Sequence, residues 1–298
     1  MSISLGLHRS DYLLHVSPNA DEAHIKQVEF NTIASSFSSL TFLTGDLHKY
    51  LSKSTNYLQS LDVKALPSNE SMTSLPRGIA KAHQLYGSKS HEVHLIRRTL
   101  LDIYHEGKLD PKTKALTMYE ILLTQYNPRN IINSHKDVSK KVISHRYIAN
   151  PQEVEKLRSC FTGLYSLDSS PEGEKTVKAA LENPERYVMK PQREGGGNNV
   201  YAQDIPPILS KLTPSERSSY ILMDLIQPPP MRNILLKQGE VIEDDVVSEL
   251  GVYGIIIGKG EEEIVNEVGG HLLRTKGRET NEGGIAKGFA VLDSPLLF

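Results

Sequence analysis

A mixed α/β architecture is predicted, and three observations predict it. Strand-like runs of apolar or alternating residues recur from one end of the chain to the other. Between them lie segments with helix-like composition, the clearest opening on Asn150-Pro151. One strand-like run ends in Lys190 and leads into three consecutive glycines, Gly195, Gly196 and Gly197, rather than an ordinary turn. With 298 residues the chain can bury a real core and suits one large or two modest domains.

The elements follow in order. Residues 12–16 and 25–30 have strand-like content around a turn cluster at Ser17, Pro18, Asn19 and Ala20. Alternation over 25–31 puts Glu29 and Asn31 on one face of a strand and Lys26 on the other. A helix is expected over 36–50. Residues 53–76, rich in Ser and Asn, are expected as a loop, followed by a short helix over 78–86 and a strand over 93–98. Residues 104–150 show only brief periodic stretches, and 118–123 reads equally as helix or strand. Pro151 then opens a helix with Asn150 as its N-cap. Residues 171–181 form another, with acids early and lysine later, as the macrodipole favours. A strand over 187–190, the glycine turn and a helix over 206–212 come next. A strand over 220–226 stops at Gln227 and three prolines. A long strand with a glycine break spans 246–258, and a last strand spans 288–292.

Composition narrows the function classes. The net charge of −2 gives no support to a nucleic-acid or membrane-surface partner. The single cysteine, Cys160, forms no internal disulfide and suits a reducing compartment; it reads as a buried small hydrophobe. No apolar run is long enough to span a bilayer, and the N-terminus has no signal core, so a cytoplasmic location is expected. Residues 5–12 already read as the interior of a domain, as though the chain began inside something longer.

Five groups carry chemistry. In the glycine turn, backbone N–H groups without Cβ atoms let a phosphate approach closely. Lys190 adds a point charge there and Glu194 an oxygen ligand for Mg²⁺. A glycine-rich surface hairpin is the alternative, and the flanking Lys, Arg, Glu and paired Asn argue against it. Glu29 and Asn31 project two oxygens to one side, which suits Mg²⁺ shared with phosphate, though a solvated strand face reads the same way. Met223, Asp224, Leu225 and Ile226 end a strand whose backbone can meet an adenine edge, or simply form core. Glu249, an acid within an apolar strand, needs a partner, which a ribose hydroxyl or a lysine would supply. Arg274 and Lys276 point the same way on a strand and can hold a carboxylate and a γ-phosphate, with the nearby Gly283-Gly284 as a lid. Together the groups describe an enzyme that activates a carboxylate with ATP. The turn is not a P-loop, and the kinase motifs are absent.

The stretch 190–199 closely resembles the glycine-rich signature of eukaryotic glutathione synthetases. Blocks at 9–12, 27–33, 161–168, 248–251 and 271–276 resemble the same family in the same order, and residues 150–298 do so throughout. The resemblance implies an ATP-grasp fold in which two α/β lobes clasp the nucleotide. It implies a ligase joining γ-glutamylcysteine and glycine through an acyl-phosphate, working as a homodimer. By the same resemblance Glu29, Asn31 and Glu194 would hold Mg²⁺. Lys190, Pro191, Gln192, Arg193, Glu194, Gly195, Gly196, Gly197, Asn198 and Asn199 would surround ATP, with Glu29 and Tyr201 close by. Met223, Asp224, Leu225 and Ile226 would line the adenine, Glu249 would take a ribose or base contact, and Lys140, Lys276 and Glu282 would complete the ATP site. Arg274 would clamp substrate and the developing charge as the catalytic residue. Arg9 and the turn Ile33, Ala34, Ser35, Ser36 would bind the dipeptide, with Ile285 and Ala286 covering it.

The chain also departs from that pattern. The family carries a region before Arg9 that is absent here, and a middle substrate domain whose two motifs are missing or unrecognisable. The division expected is therefore 1–87 as the N-terminal part of the catalytic region, 88–149 as a reduced substrate domain, and 150–298 as the C-terminal ATP-grasp region. Ala34 stands where a serine is common, and Ala286-Lys287 where two small residues are usual, which opens the choice of acceptor amino acid. Two alternatives to a working ligase follow: an impaired ATP-binding paralogue, or an incomplete version of a longer protein.

Overall fold

A computed structural model describes residues 3–16, 22–32, 35–55, 62–87, 150–191, 197–281, 284–285 and 288–297. Expectations for the turn at 17–20, the strand over 93–98, the ambiguous segment 118–123 and the 88–149 domain lie outside these residues.

The strands, in chain order, are β1 (Ile3–Val16), β2 (Ala23–Asn31), β3 (Leu164–Ser166), β4 (Tyr187–Pro191), β5 (Val200–Tyr201), β6 (Tyr220–Asp224), β7 (Met231–Lys237), β8 (Glu240–Lys259), β9 (Glu262–Gly277) and β10 (Val291–Asp293). The helices are α1 (Ser38–Ser54), α2 (Ser71–Tyr86), α3 (Pro151–Ser159), α4 (Pro171–Glu182), α5 (Ile205–Leu209) and α6 (Pro214–Arg217). The strands form two antiparallel sheets, so helices and strands are both present but the pairing is α+β in kind.

The larger sheet runs β10-β9-β8-β1-β2, with β7 added to β8. Its spine is β8, which pairs along one edge first with β7 and then with β1, and along the other with β9. The expected glycine break does not occur. Instead, β8 continues through Gly251 and Gly254, and register shifts beside Tyr253 and Ile257 absorb the irregularity as bulges. The β7–β8 hairpin was not foreseen from the sequence. Its turn residues Gln238 and Gly239 have φ of 54° and 86°, the two left-handed positions of a tight hairpin turn.

Helices α1 and α2 cover one face of this sheet. Leu75, Tyr253, Ile255 and Leu272 form the core there, with Leu7, Phe37 and Leu292 packed around them. Helix α2 begins at Ser71, well before the expected start at 78 and inside the segment read as a loop. Buried Asn69 explains the difference. Its Oδ1 accepts from Ser71 N (3.3 Å) and His271 N (3.1 Å), and its Nδ2 donates to the His271 carbonyl (2.8 Å). The helix is therefore started from β9, a partner that local composition does not reveal.

The smaller sheet runs β3-β6-β4-β5. One face packs under α4 and α5 through Leu167, Ala180, Tyr187, Met189, Ile205, Leu209 and Leu222. Each of the fully buried Leu and Met side chains contributes about 2 kcal/mol. Asn150 caps α3 by accepting from Gln152 N at 2.9 Å, as expected. Helix α4 has its acids in the first turn, but its lysines fall mid-helix rather than in the last turn. Helix α5 ends at Leu209 and the final strand is confined to Val291–Asp293, both shorter than the sequence suggests. The opposite face carries Val188, Met223 and Ile226, which pack against Leu13 and Val28 of the β1–β2 hairpin. This apolar seam joins the two sheets.

Candidate functional site

Antiparallel partners share a face, and the registers set out one row of charged residues across the larger sheet. Asn31 lies opposite Arg9, Glu29 opposite Asp11, Asp11 opposite Gly251, and Glu249 opposite Arg274. Lys276 follows Arg274 on the same face, opposite Val247. These are the strand residues singled out by sequence, with Asp11 and Gly251 added between them.

Asp11 is the centre of the row and has no solvent exposure. Arg9 donates to it in a bidentate fork, Nε to Oδ1 at 2.6 Å and Nη2 to Oδ2 at 2.8 Å. Arg274 Nη2 donates to Oδ2 at 3.1 Å, and Asn31 Nδ2 at 3.0 Å. Gly251 makes room for this cluster. A Cβ there would lie 2.7 Å from Asp11 Oδ1 and 2.8 Å from Arg9 Cδ. Burial pushes the Asp11 carboxyl up against the pull of the two arginines, while Arg9, also buried, is held above its ordinary value by Asp11.

Arg274 also pairs with Glu249, so the protein partner of the acid within the apolar strand is an arginine rather than the lysine considered from sequence. Burial lowers the Arg274 guanidinium, against the raising effect of Asp11. Its Nε is buried and has no partner among the described residues. A donor left over in such a place fits an incoming anion.

Asn31 Nδ2 also donates to Glu29 Oε1 at 3.2 Å, so both amide protons face carboxylates. That fixes the amide orientation and leaves Oδ1, not Nδ2, as the end not engaged with these carboxylates. Glu29 sits at the exposed edge of the row; partial desolvation there pushes its carboxyl up, but Lys190, Asn31 and Arg274 together hold it below its ordinary value. A β-bulge beside Asp11 shifts the register of β2, and Lys26 pairs with Leu13 on the face that Asp11 and Glu29 share. The sequence had put Lys26 on the other face. Its Nζ donates to the Ser159 (2.7 Å) and Phe161 (3.3 Å) carbonyls, away from Glu29.

The smaller sheet meets this row. Lys190, at the end of β4, donates from Nζ to the Val28 carbonyl at 3.1 Å, which sets its charge beside Glu29. Pro191 ends the strand, and Gly197 follows the turn with φ of 86°. The Asn281 carbonyl accepts from Tyr201 Oη (3.2 Å) and Lys276 Nζ (2.8 Å), and Asn199 Nδ2 donates to Tyr201 Oη at 3.2 Å. Asn198 lies in the same strand-connecting segment.

At the strand end, Met223 and Ile226 are buried in the seam and Leu225 packs beside them. The Asp224 and Leu225 amides already donate to the Gly163 and Arg186 carbonyls, at 2.9 and 2.8 Å. The Asp224 carboxylate is occupied by Gly163 N (2.8 Å) and Tyr165 Oη (3.1 Å), and burial with Asp224 pushes the Tyr165 phenol up to about 12. Ser36 stands at the site edge, where its carbonyl accepts from Tyr253 Oη (2.6 Å) and Arg9 Nη1 (3.4 Å). Ser35 Oγ donates to the Asn31 carbonyl at 3.2 Å. Ile285 lies in a turn whose carbonyl accepts from Gly288 N at 2.9 Å. Ile33, Ala34, Lys140, Gln192, Arg193, Glu194, Gly195, Gly196, Glu282 and Ala286 lie outside the described residues.

Sequence reasoning missed Asp11 as a site residue. The available signal was Arg9-x-Asp11, two opposite charges sharing a strand face with the apolar Leu7 and Leu13.

The family model described as eukaryotic glutathione synthase, ATP binding domain, matches residues 1–297. The chain belongs to the eukaryotic glutathione synthase family. Curated glutathione synthetases of Xenopus laevis and Homo sapiens are 32% and 33% identical to it, each covering 99% of this chain and matched over 75% of its own length. The chloroplastic glutathione synthetase of Solanum lycopersicum is 34% identical, covering 98% of this chain and 64% of its own. The Xenopus alignment runs to 358 positions against a chain of 298, so the relative carries segments within the matched span that this family member does not. Among solved structures, a glutathione synthetase-like effector from Globodera pallida in apo form matches with a TM-score of 0.57 at 19% identity, over 99% of this chain and 76% of that one. The shared architecture is the ATP-grasp fold expected for the family, here with its antiparallel sheets. Among the described residues, no helix is long and apolar enough to cross a membrane.

Proposed function

We propose that this chain is a glutathione synthetase-like ligase that joins γ-glutamylcysteine and glycine at the expense of ATP, with Mg²⁺ as cofactor. The observation that carries the reading is the charged row itself. Two arginines, two lysines and the Glu29–Asn31 pair come from separate strands, and they are the residues to which the family resemblance gives substrate, phosphate and metal contacts.

The donor set fits a hard cation shared with phosphate. Glu29 offers an ionised carboxylate and Asn31 its free Oδ1, and both oxygens belong to the ligand class Mg²⁺ prefers. Glu194, the third ligand implied by resemblance, lies outside the described residues. Mg²⁺ would draw charge from the phosphates during transfer. Lys190 and Lys276, with the glycine turn between them in sequence, would hold the phosphates in place. Arg274 would present its unpartnered Nε to the carboxylate being activated and to the charge that builds on it. Arg9 and the Ser35–Ser36 turn would orient the dipeptide. The strand end Met223–Ile226, beside the apolar seam, would line the adenine.

Release of ADP on mixing the protein with Mg-ATP, γ-glutamylcysteine and glycine tests the reading. Turnover that disappears in Arg274→Ala supports it; Mg-ATP binding without turnover favours the paralogue reading, which the shorter span against the relatives makes specific. Testing other small amino acids in place of glycine addresses the acceptor, since Lys287 stands where the family resemblance has a small residue. A cytoplasmic homodimer completes the proposal, and sedimentation velocity checks the dimer.

A further inference from the structure

We infer that Asp11 is a positioning residue that aims two parts of the machinery at once: it turns the Asn31 amide oxygen-outward for the metal and holds Arg274 with its Nε free for the anionic substrate. The inference rests on the ligase reading above and assigns a role to a residue outside the groups that reading uses.

The geometry is specific. Asn31 has a single amide nitrogen, and it spends that nitrogen on Asp11 Oδ2 and Glu29 Oε1. An asparagine flipped the other way would set its Oδ1 against two carboxylates. Asp11 therefore decides which end of Asn31 faces the site. The same Oδ2 accepts from Arg274 Nη2 at 3.1 Å. With Nη2 committed to Asp11 and to Glu249, the guanidinium plane is fixed and Nε is left without a partner. Arg9, forked onto both oxygens of Asp11, locks the carboxylate in turn. Asp11 thus touches neither substrate nor metal, yet a rotation of its carboxylate would misalign both groups that do. Partners of this kind behind a metal ligand change metal affinity by roughly 10- to 100-fold when lost.

Asp11→Asn keeps the shape but puts an amide group among donors. In this variant the Mg²⁺ concentration for half-maximal ADP release is expected to rise about tenfold. Calorimetric Mn²⁺ affinity in the presence of a non-hydrolysable ATP analogue should fall by a similar factor, a readout independent of turnover. Asn31→Ala in the Asp11→Asn background should add little further, because the two act through one oxygen. An Asp11→Asn protein that melts earlier but keeps the wild-type Mg²⁺ and Mn²⁺ dependence would show a merely structural residue and overturn the inference. If Asp11→Asn does not fold, Asn31→Asp decides. A carboxylate is the better ligand for a hard cation, so on ligand chemistry alone Mn²⁺ should bind more tightly. Loss of the N–H held by Asp11 predicts weaker binding instead, and tighter binding would sink the inference. Wild-type protein that neither binds Mg-ATP nor releases ADP would remove the ligase reading itself. That is a different result from an intact wild type with an indifferent Asp11 variant.

Discussion

Glu249 and Arg274 stand opposite each other in the β8–β9 ladder and are joined as an ion pair, both nearly enclosed by the sheet face they share. Removing the acid leaves the arginine with Asp11 as its only ion-paired carboxylate among the described residues. Breaking an enclosed pair from one side costs more than the pair contributes, because the remaining charge stays desolvated. Glu249→Ala is therefore expected to destabilise the protein by about 3 kcal/mol in urea denaturation. Glu249→Gln, which keeps an acceptor, should cost less.

Gly251 faces Asp11 across the β1–β8 ladder. Alanine at that position meets Asp11 Oδ1 and Arg9 Cδ, neither of which can yield without disturbing the fork between them. We expect Gly251→Ala to cost about 1–3 kcal/mol of stability and to lower ADP release more than its loss of stability explains. Thermal denaturation and steady-state kinetics on the same sample test this.

Acid dependence should follow Glu29. Its carboxyl lies below the ordinary value of 4.5, so its contribution to stability is complete above that value and is lost as pH falls through the lowered folded value. Lys190 is the foremost charge holding it there. In Lys190→Met the folded value rises, and the acid limb of stability should move to higher pH. A set of chemical denaturation curves between neutral pH and the onset of acid unfolding would show it; an unmoved acid limb would mean that Lys190 does not govern Glu29.

Tyr201 links the strand after the glycine turn to Asn281, which also holds Lys276. Tyr201→Phe deletes the hydroxyl alone. A hydrogen bond of this type contributes about 1 kcal/mol, so KM for ATP should rise several-fold while the melting temperature changes little. An unchanged KM would separate this clasp from nucleotide binding.

The parts of the site carried by strand periodicity were legible in the sequence. Glu29 and Asn31, and likewise Arg274 and Lys276, are two apart on strands, and that spacing alone puts each pair on one face. The parts that depend on a distant partner were not. Asp11 gains its meaning from Arg274 and Asn31, Lys26 changes sides through a bulge, and α2 starts at Ser71 because of a contact with His271. The β7–β8 hairpin is a different case. Its turn is the readable pair Gln238-Gly239, but β7 begins directly after three prolines, which on their own mark the end of an element.

The bond between Asp11 and Arg274 joins residues 263 positions apart. During synthesis β1 and β2 emerge well before β9, the strand that carries the arginine completing their buried carboxylate. An enclosed acid cannot settle cheaply before its counter-charge arrives, and contacts of such separation form late and slowly. Order in the β1–β2 hairpin should therefore appear together with β9 rather than ahead of it, which pulse-labelled hydrogen exchange during refolding would reveal. On this view the charged row and the fold are completed together, because Arg274 and Lys276, which close the row, both belong to β9.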